Sequence, residues 1–296
     1  MTIRLAGKRG RLPAKKLPLR YAHEYLAVPL PAPVYPIDVA GGIQNWGMLG
    51  NDQFGNCGVA GELHIEMSTA VGAGVPVPQF TEAQAVKEYL TYTGGQDDGV
   101  VLADFLKWCY DQKKILAFAP LDYTDIAQCD AFTAAGFGTY DGVALTDDAD
   151  QLFNEGKPWT TANGETPDPN EGHCIVSVGA TGPASTDLDT YVTWGALQKA
   201  TRAWTIACTE ERWLVVTTEE QLAKFTPDLL ADVAALGGTG GVTPAPTPTP
   251  TPTPTPDAAD AALAAVAKPW IAEWHPWGSN RKMATALKVW LAAKGL

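Results

Sequence analysis

A Gly-rich stretch followed by an alternating Thr-Pro repeat divides the chain at residues 237–256. Proline fixes φ and removes a backbone donor, so alternate prolines exclude both helix and sheet. Residues 243–256 therefore favour an extended polyproline II rod, which at about 3.1 Å per residue spans roughly 43 Å. The sequence thus predicts two bodies within its 296 residues, one on each side of this linker.

The body before the linker, residues 21–236, changes its sequence pattern near residue 155. Patterns typical of amphipathic helices cover 57–71, 80–92 and 99–113. Short runs rich in β-branched and aromatic residues, typical of strands, follow at 159–162, 174–178, 190–194 and 213–217. A helical first half and an antiparallel second half predict an α+β fold with a cleft between two lobes.

The segment after the linker, residues 257–296, predicts a small helical hairpin. Asp257 can cap a first helix, in which apolar residues recur three or four apart as far as Trp274. A turn at 275–278 precedes a second helix with its own apolar face. A segment this short without a disulfide is a marginal fold, so we interpret its tryptophans either as its core or as a docking face for a partner.

The first 20 residues form a basic arm on an acidic protein. They carry seven Lys and Arg residues and no acidic residue, whereas the whole chain has 21 basic and 33 acidic residues. The remaining 276 residues therefore hold 14 basic and 33 acidic groups, a net charge of −19. An acidic body excludes nucleic acid as the main partner. We predict that the arm is flexible and solvated, with binding to an acidic surface or polyanion as the alternative.

The sequence has few signals for membranes, disulfides or metals. The basic N-terminus lacks an apolar h-region, which predicts no signal peptide, and no run approaches the roughly 18 apolar residues of a membrane span. Five cysteines are scattered without a CxxC pair, so we interpret them as reduced thiols. No cluster has zinc or calcium spacing, and we expect neither a metal nor another cofactor.

One cysteine and one histidine have the surroundings of a catalytic pair. Cys57 lies in a Gly-rich run before the first predicted helix, and His173 opens a predicted strand. A helix N-terminus and a nearby imidazolium both lower the pKa of a thiol, which is about 8.5 in isolation. Backbone N–H groups at that turn, with the amide of Asn51 or Gln53, would bind a developing oxyanion. The alternative is that Cys57 is a buried small residue and His173 a core histidine.

Two runs carry a resemblance to a known family. Residues 46–57 read Trp-Gly-Met-Leu-Gly-Asn-Asp-Gln-Phe-Gly-Asn-Cys, and residues 192–195 read Val-Thr-Trp-Gly, with His173 between them. Over roughly residues 40–220 the chain resembles the papain-like cysteine peptidase superfamily, which has its Cys and His in this order and an Asn-Ser-Trp-Gly segment after them. The first run is similar to uncharacterised papain-like proteins of actinobacterial bacteriophages.

The resemblance implies a two-lobed papain-like body and roles for five residues. Cys57 would be the nucleophile, and His173 the general base and acid. Asn51 stands where the family has its oxyanion glutamine, with Gln53 as the second candidate. Trp194 would cover the dyad.

At two positions the sequence departs from the family pattern, which affects whether the family's catalytic roles apply to this chain. Val192 corresponds to the family's orienting asparagine and cannot hydrogen-bond an imidazole, which leaves Asp189, Glu171 or a backbone carbonyl for that task. In a second register, Cys57 would match an earlier, disulfide-forming cysteine of papain, and Ala60 would take the catalytic position. That register implies an inactive enzyme.

The sequence therefore predicts one of two functions. The first is a cysteine hydrolase, a peptidase that cleaves peptide or amide bonds of a protein substrate. The alternative is an inactive papain-like scaffold in a bacteriophage virion or at a cell surface, which binds its partner through residues 257–296. Without a signal peptide, the expected location is the host cytoplasm or the virion. An accessible Cys57 with a low pKa distinguishes the enzyme from the scaffold.

Overall fold

The chain divides into two units, residues 1–242 and residues 243–296. The computed structural model describes residues 5–162 and 164–237, all within the first unit. The Thr-Pro rod and the helical hairpin at 257–296 lie outside the described residues and stay predictions.

The described residues form eight α-helices and one seven-stranded antiparallel sheet. After a 3-10 helix at Ala22–Tyr25, the helices are α1 (Cys57–Gly72), α2 (Glu82–Tyr92), α3 (Leu102–Asp111), α4 (Ile126–Ala134), α5 (Ala149–Glu155), α6 (Arg202–Cys208), α7 (Glu219–Leu222) and α8 (Asp228–Ala235). The strands are β1 (Ile37–Asp38), β2 (Ala117–Pro120), β3 (Thr139–Thr146), β4 (Pro167–Ala180), β5 (Leu188–Thr193), β6 (Ala196–Thr201) and β7 (Thr209–Val216). The sheet order is β2-β7-β3-β4-β5-β6, and β1 pairs with the end of β4.

The predicted α+β fold, helical in its first half and antiparallel in its second, is confirmed. Helices α1, α2 and α3 lie where the hydrophobic spacing predicts them, β4 contains the predicted strand at 174–178, and β5 and β7 each end one residue before the end of the predicted strands at 190–194 and 213–217. Helix α2 begins at residue 82 because the Thr81 hydroxyl accepts a hydrogen bond from the Gln84 N–H at 3.2 Å. The fourth run, 159–162, is not a strand, since Trp159 makes only an isolated bridge with Ala200.

Helix α1 is buried on nearly all sides and packs against the sheet. Thirteen of its 16 residues are buried. A Cβ at Gly61 would lie 3.0 Å from Cys174 Sγ, so glycine allows α1 to approach β4 closely. The Tyr140 hydroxyl of β3 donates to the Gly58 carbonyl at 2.8 Å. These contacts fix the start of α1, and with it Cys57, against β3 and β4.

The burial of α1 also corrects the expectation for His64. The apolar stripe of the sequence places this residue largely on another face, which predicts a solvated or partly packed side chain. In the structure His64 is 2% exposed, and its Nε2 contacts the Trp46 carbonyl at 3.0 Å. A central helix has no solvent face, so a stripe of three-four spacing understates how much of it is buried.

The sheet separates two hydrophobic clusters, because successive residues of a strand point to opposite faces. Cys174 of β4 packs with α1 in the larger cluster. Ile175 packs on the other side with Trp194 and Trp204. Alternation along β4 therefore puts His173 on the face of Ile175.

Strand β3 is not predicted from the sequence because it is buried on both faces. All eight of its residues are buried, so it lacks the alternation of a half-exposed strand. A carboxylate in the middle of the run, Asp141, also disfavours the prediction of a buried strand. In the structure Arg212 of β7 donates a hydrogen bond to this carboxylate at 2.6 Å. The charge is compensated by a residue that is distant in sequence.

Over its described residues, 5–20, the basic arm packs against the body of the protein, unlike the flexible and solvated segment that the sequence predicts. Arg11 is 6% exposed and forms a parallel bridge with Val100. Its guanidinium is ion-paired with Glu210 and Glu211. The arm binds an acidic surface, which belongs to its own chain.

Candidate active site

Cys57 is the first residue of α1, where unpaired backbone N–H groups point outward from the helix. The loop before it is fixed by two contacts. Asn56 Nδ2 donates to the Leu49 carbonyl at 2.8 Å, and the Gly55 N–H donates to Asp97 Oδ1 at 2.8 Å. A helix N-terminus stabilises negative charge, so the backbone at this position favours a thiolate.

His173 lies on β4 and is fully buried. Its Nε2 lies 2.7 Å from Thr193 Oγ1, and its ring packs on Trp194 with centroids 4.6 Å apart. A hydroxyl can donate or accept, so Thr193 holds the ring in either tautomer. The other nitrogen, Nδ1, has no hydrogen-bond partner among the described residues. The imidazole is therefore oriented through one nitrogen and has the other left for chemistry.

Thr193 is the site residue that the sequence analysis missed. Aligning Val-Thr-Trp-Gly with Asn-Ser-Trp-Gly draws attention to Val192, which instead packs in the larger cluster with α1. Alternation along β5 puts Thr193, not Val192, on the sheet face of His173. That two-residue period is a signal in the sequence by which Thr193 can be found.

The Cys57 thiol and the His173 imidazole share two neighbours. The backbone of Cys174, the residue after His173, lowers the pKa of the thiol. The positive charge of Arg11 acts on both Cys57 and His173. Cys57 packs in the larger cluster on the α1 side of β4, whereas His173 lies on the opposite face, so what the two candidate catalytic residues have in common is strand β4 and the charge of Arg11.

Burial determines the protonation state of both groups. Burial raises the pKa of Cys57 to about 11, although the Cys174 backbone and Arg11 act in the opposite direction. Burial also lowers the pKa of His173 well below its usual value, and the charges of Arg9 and Arg11 lower it further. At neutral pH this state therefore holds a thiol and a neutral imidazole, not the thiolate–imidazolium pair that the sequence predicts.

The arm covers this region. The Lys8 N–H donates to the Asn51 carbonyl at 2.6 Å, and the Lys8 carbonyl accepts from Asn51 Nδ2 at 3.2 Å. Trp194 Nε1 donates to the same Lys8 carbonyl at 3.5 Å, and the Arg9 guanidinium lies 5.2 Å from the centroid of the Trp194 ring. The side chains of the oxyanion candidate and of the covering tryptophan are thus both in contact with the arm, and Cys57 is 2% exposed.

The other predicted side chains have different partners. Gln53 Nε2 donates to Glu82 at 2.7 Å, on the exposed side of the loop. Asp189 is buried and lies 3.3 Å from the guanidinium of Arg202. Glu171 is ion-paired with an arm arginine at 2.6 Å. Of the two amide candidates, Asn51 is therefore the one in contact with the arm, and a threonine holds the imidazole.

Neither a metal cluster nor a membrane helix occurs in the part of the chain that the structure describes. Over residues 5–162 and 164–237, no three His, Cys, Asp or Glu side chains are placed to hold a metal ion. Over the same residues, no helix combines the length and apolar character needed to cross a membrane.

Comparison with known proteins identifies the fold. No protein-family model matches the sequence, and no curated protein matches it. Among solved structures, xylellain, a cysteine protease from Xylella fastidiosa, matches with a TM-score of 0.51 and 13% identity, covering 74% of this chain and 99% of its own.

Two proenzymes match with lower scores. Digestive procathepsin L 3 of Tenebrio molitor has a TM-score of 0.47 and 12% identity, and covers 72% of this chain and 76% of its own. Procathepsin B S9 from Trypanosoma congolense has a TM-score of 0.46 and 12% identity, and covers 71% of this chain and 87% of its own. The match to xylellain shows that the chain has the papain-like fold that its sequence predicts.

Proposed function

We propose that this chain is a cysteine peptidase in which Cys57 is the nucleophile and His173 the general base and acid. The observation that carries the proposal is the state of His173, whose Nε2 is held by Thr193 while Nδ1 has no hydrogen-bond partner within residues 5–162 and 164–237. The backbone of the next residue in β4 lowers the pKa of the Cys57 thiol, which places the thiol next to that strand. A cysteine protease fold is consistent with a protein or peptide substrate.

The proposed reaction has two steps. His173 takes the thiol proton, and Cys57 Sγ attacks the substrate carbonyl to form a tetrahedral oxyanion, which the Cys57 N–H and Asn51 Nδ2 stabilise. The intermediate collapses to a thioester, and His173 returns the proton to the departing amine. A water molecule deprotonated by His173 then attacks the thioester, releasing the acid and restoring the thiol. Trp194 covers the imidazole throughout.

The first prediction concerns the reactivity of Cys57 with the arm displaced. The variant Gly10→Ala serves for this, because a Cβ at Gly10 would lie 1.7 Å from the Gly55 carbonyl oxygen. Once solvent reaches the site, burial no longer raises the pKa of Cys57, and the helix N-terminus and imidazolium lower it. We expect alkylation of Cys57 at pH 6 to be about tenfold faster than in wild type, and about tenfold slower again when His173→Ala is added.

Mass spectrometry after timed iodoacetamide treatment gives the rate for each of the five cysteines against pH. In wild type, Cys57 has a pKa raised to about 11, so its rate rises with pH up to that value. The other buried cysteines of the same chain are the internal controls. A rate at pH 6 that is unchanged by His173→Ala contradicts the proposed dyad.

A second prediction concerns the hydroxyl that holds the imidazole. Thr193→Val keeps the shape of the side chain but removes the contact to His173 Nε2, which is 2.7 Å long. We expect about tenfold slower alkylation at pH 6 in the arm-displaced chain, since a misoriented base forms the ion pair less often. Thr193→Ser restores the hydroxyl and should restore the rate. Equal rates for the valine and serine variants would rule out an orienting role.

One observation favours the alternative, an inactive binding scaffold. In the described state Cys57 is a buried thiol with a pKa raised to about 11, which is not the state of a nucleophile. The alkylation experiment decides between the two functions, because a scaffold shows no His173-dependent reactivity after the arm is displaced. A bacteriophage virion or host cytoplasm as the location, and residues 257–296 as the binding segment, stay proposals of the sequence.

A further inference from the structure

The arm is held in its groove by backbone hydrogen bonds on two sides. On one side, the Leu12 N–H donates to the Val100 carbonyl at 2.8 Å, and the Val100 N–H donates to the Gly10 carbonyl at 2.7 Å. On the other side, the Arg11 N–H donates to the Gly172 carbonyl at 3.2 Å. An extended peptide bound through its main chain is a common mode of peptide recognition, and its backbone contacts do not depend on sequence.

The side chains of the arm supply the selectivity, because each cation meets carboxylates of the body. Lys8 Nζ lies 3.3 Å from Asp97. The Arg9 guanidinium lies 2.7 Å from Asp150 and 2.6 Å from Glu171. These acidic residues come from separate parts of the chain, so the fold assembles an acidic groove along the arm.

Arg11 occupies the deepest part of this groove. Its side chain is 1% exposed and is ion-paired with Glu210 and Glu211 at the start of β7. Gly142 of β3 forms the floor, where a Cβ would lie 2.7 Å from Arg11 Cδ. Burial raises the pKa of Glu211, so the pocket is costly to leave without a cation.

Between the two arginines the groove accepts only glycine. A Cβ at Gly10 would lie 1.7 Å from the carbonyl oxygen of Gly55 and 2.3 Å from its carbonyl carbon. The groove wall also requires glycine, because a Cβ at Gly99 would lie 2.4 Å from the Gly10 carbonyl oxygen. Both obstacles are main-chain atoms, which do not move aside as a flexible side chain does. The groove therefore selects a bound segment with glycine between two arginines, Arg-Gly-Arg.

We propose that this groove is a binding site for basic peptide segments with the pattern Arg-Gly-Arg, and that residues 7–12 occupy it within the same chain. A protein with such a segment binds when the arm leaves, and it then lies against Asn51 and Trp194 as the arm does. As a statement about substrates the inference rests on the proposed function, but binding itself does not require catalysis.

The test measures peptide binding to the full chain with Gly10→Ala. The probe is a fluorescein-labelled synthetic peptide with the sequence of residues 5–13, and fluorescence anisotropy gives its Kd. The comparison peptide has glutamine in place of the lysine and both arginines. We expect the basic peptide to bind at least about tenfold more tightly than the neutral one, since the charge-assisted hydrogen bonds from three cationic side chains to five carboxylates are lost.

Two chains serve as controls. Wild type should bind the basic peptide at least about tenfold more weakly than the Gly10→Ala chain, because a tethered arm competes at an effective concentration of about millimolar. Gly72→Ala, where the added Cβ meets its nearest atoms only at 3.8 Å, should behave as wild type. Equal binding of basic and neutral peptides by a folded Gly10→Ala chain, or no binding of either, overturns the proposal.

A second variant covers the case in which Gly10→Ala does not fold. Arg9 is 21% exposed, and Arg9→Gln removes its two ion pairs without a clash. The same preference for the basic peptide is expected there, and its absence overturns the proposal. A chain that binds the basic peptide selectively but hydrolyses nothing supports the groove and contradicts the peptidase. A chain that hydrolyses protein but binds both peptides alike contradicts the groove alone.

Discussion

Replacing Cys57 with alanine should abolish peptide hydrolysis, with a loss of about 10³-fold or more in kcat. The reason is that the thioester requires Sγ, and no other described cysteine is placed at a helix N-terminus. What remains after removal of a nucleophile is the weak catalysis provided by oxyanion donors and substrate binding. The loss should be measured in the Gly10→Ala chain, where the arm does not cover the site.

Release of fluorescent fragments from labelled casein, an unfolded protein with many cleavable bonds, measures this loss. The matched control is Cys208→Ala, which removes a thiol that is equally buried but lies in α6. It should retain hydrolysis of the same order as the parent chain. Full hydrolysis by the Cys57→Ala chain would exclude the proposed nucleophile, and loss in both variants would point to damage of the fold.

Replacing Arg202 with alanine should lower the free energy of unfolding by about 3–5 kcal/mol, because it leaves buried carboxylates without their cation. The guanidinium donates to both oxygens of Asp130, at 3.0 and 2.5 Å, and lies 3.3 Å from Asp189. Its Nε donates to the Gly182 carbonyl at 3.0 Å. One residue therefore joins α4, β5 and the loop after β4.

Urea unfolding followed by tryptophan fluorescence measures this change. The control is Lys15→Ala, which breaks an ion pair with Asp104 on the surface and should cost less than about 1 kcal/mol. Burial already raises the pKa of Asp189, and loss of Arg202 raises it further. The folded variant then binds protons more tightly than the unfolded chain, so its deficit should shrink as the pH falls from 7. A deficit below 1 kcal/mol, or one independent of pH, would contradict this account.

The parts of the site that follow from local sequence were predictable. Cys57 precedes a helical pattern, His173 opens a strand, and both positions follow from periodicity and a short motif. Thr193 was equally accessible, because the alternation of β5 excludes Val192 from the face of His173. An alignment by motif hides this, since it matches residues by order and not by the side of the sheet to which they point.

The position of the arm was not predictable in the same way. Its charge is evident from composition, but Arg11 meets Glu211 at a separation of 200 residues, and only the folded sheet brings them together. The compensation of Asp141 by Arg212, 71 residues away, has the same origin. The hydrophobic periodicity of a sequence predicts local secondary structure, but it does not predict ion pairs between residues that are distant in sequence. The protonation of Cys57 was missed for the same reason, because residues distant in sequence bury it in the core between α1 and the sheet.

Burial of the Cys57 thiol also protects it from oxidation. Peroxide oxidises the thiolate and not the thiol, and the products beyond sulfenic acid are not recovered by ordinary reductants. With a pKa raised to about 11 and an exposure of 2%, Cys57 stays reduced under conditions that inactivate an open thiolate. For the nucleophile that we propose, burial in the core beside α1 and β4 therefore also protects the sulfur from oxidation before a substrate binds.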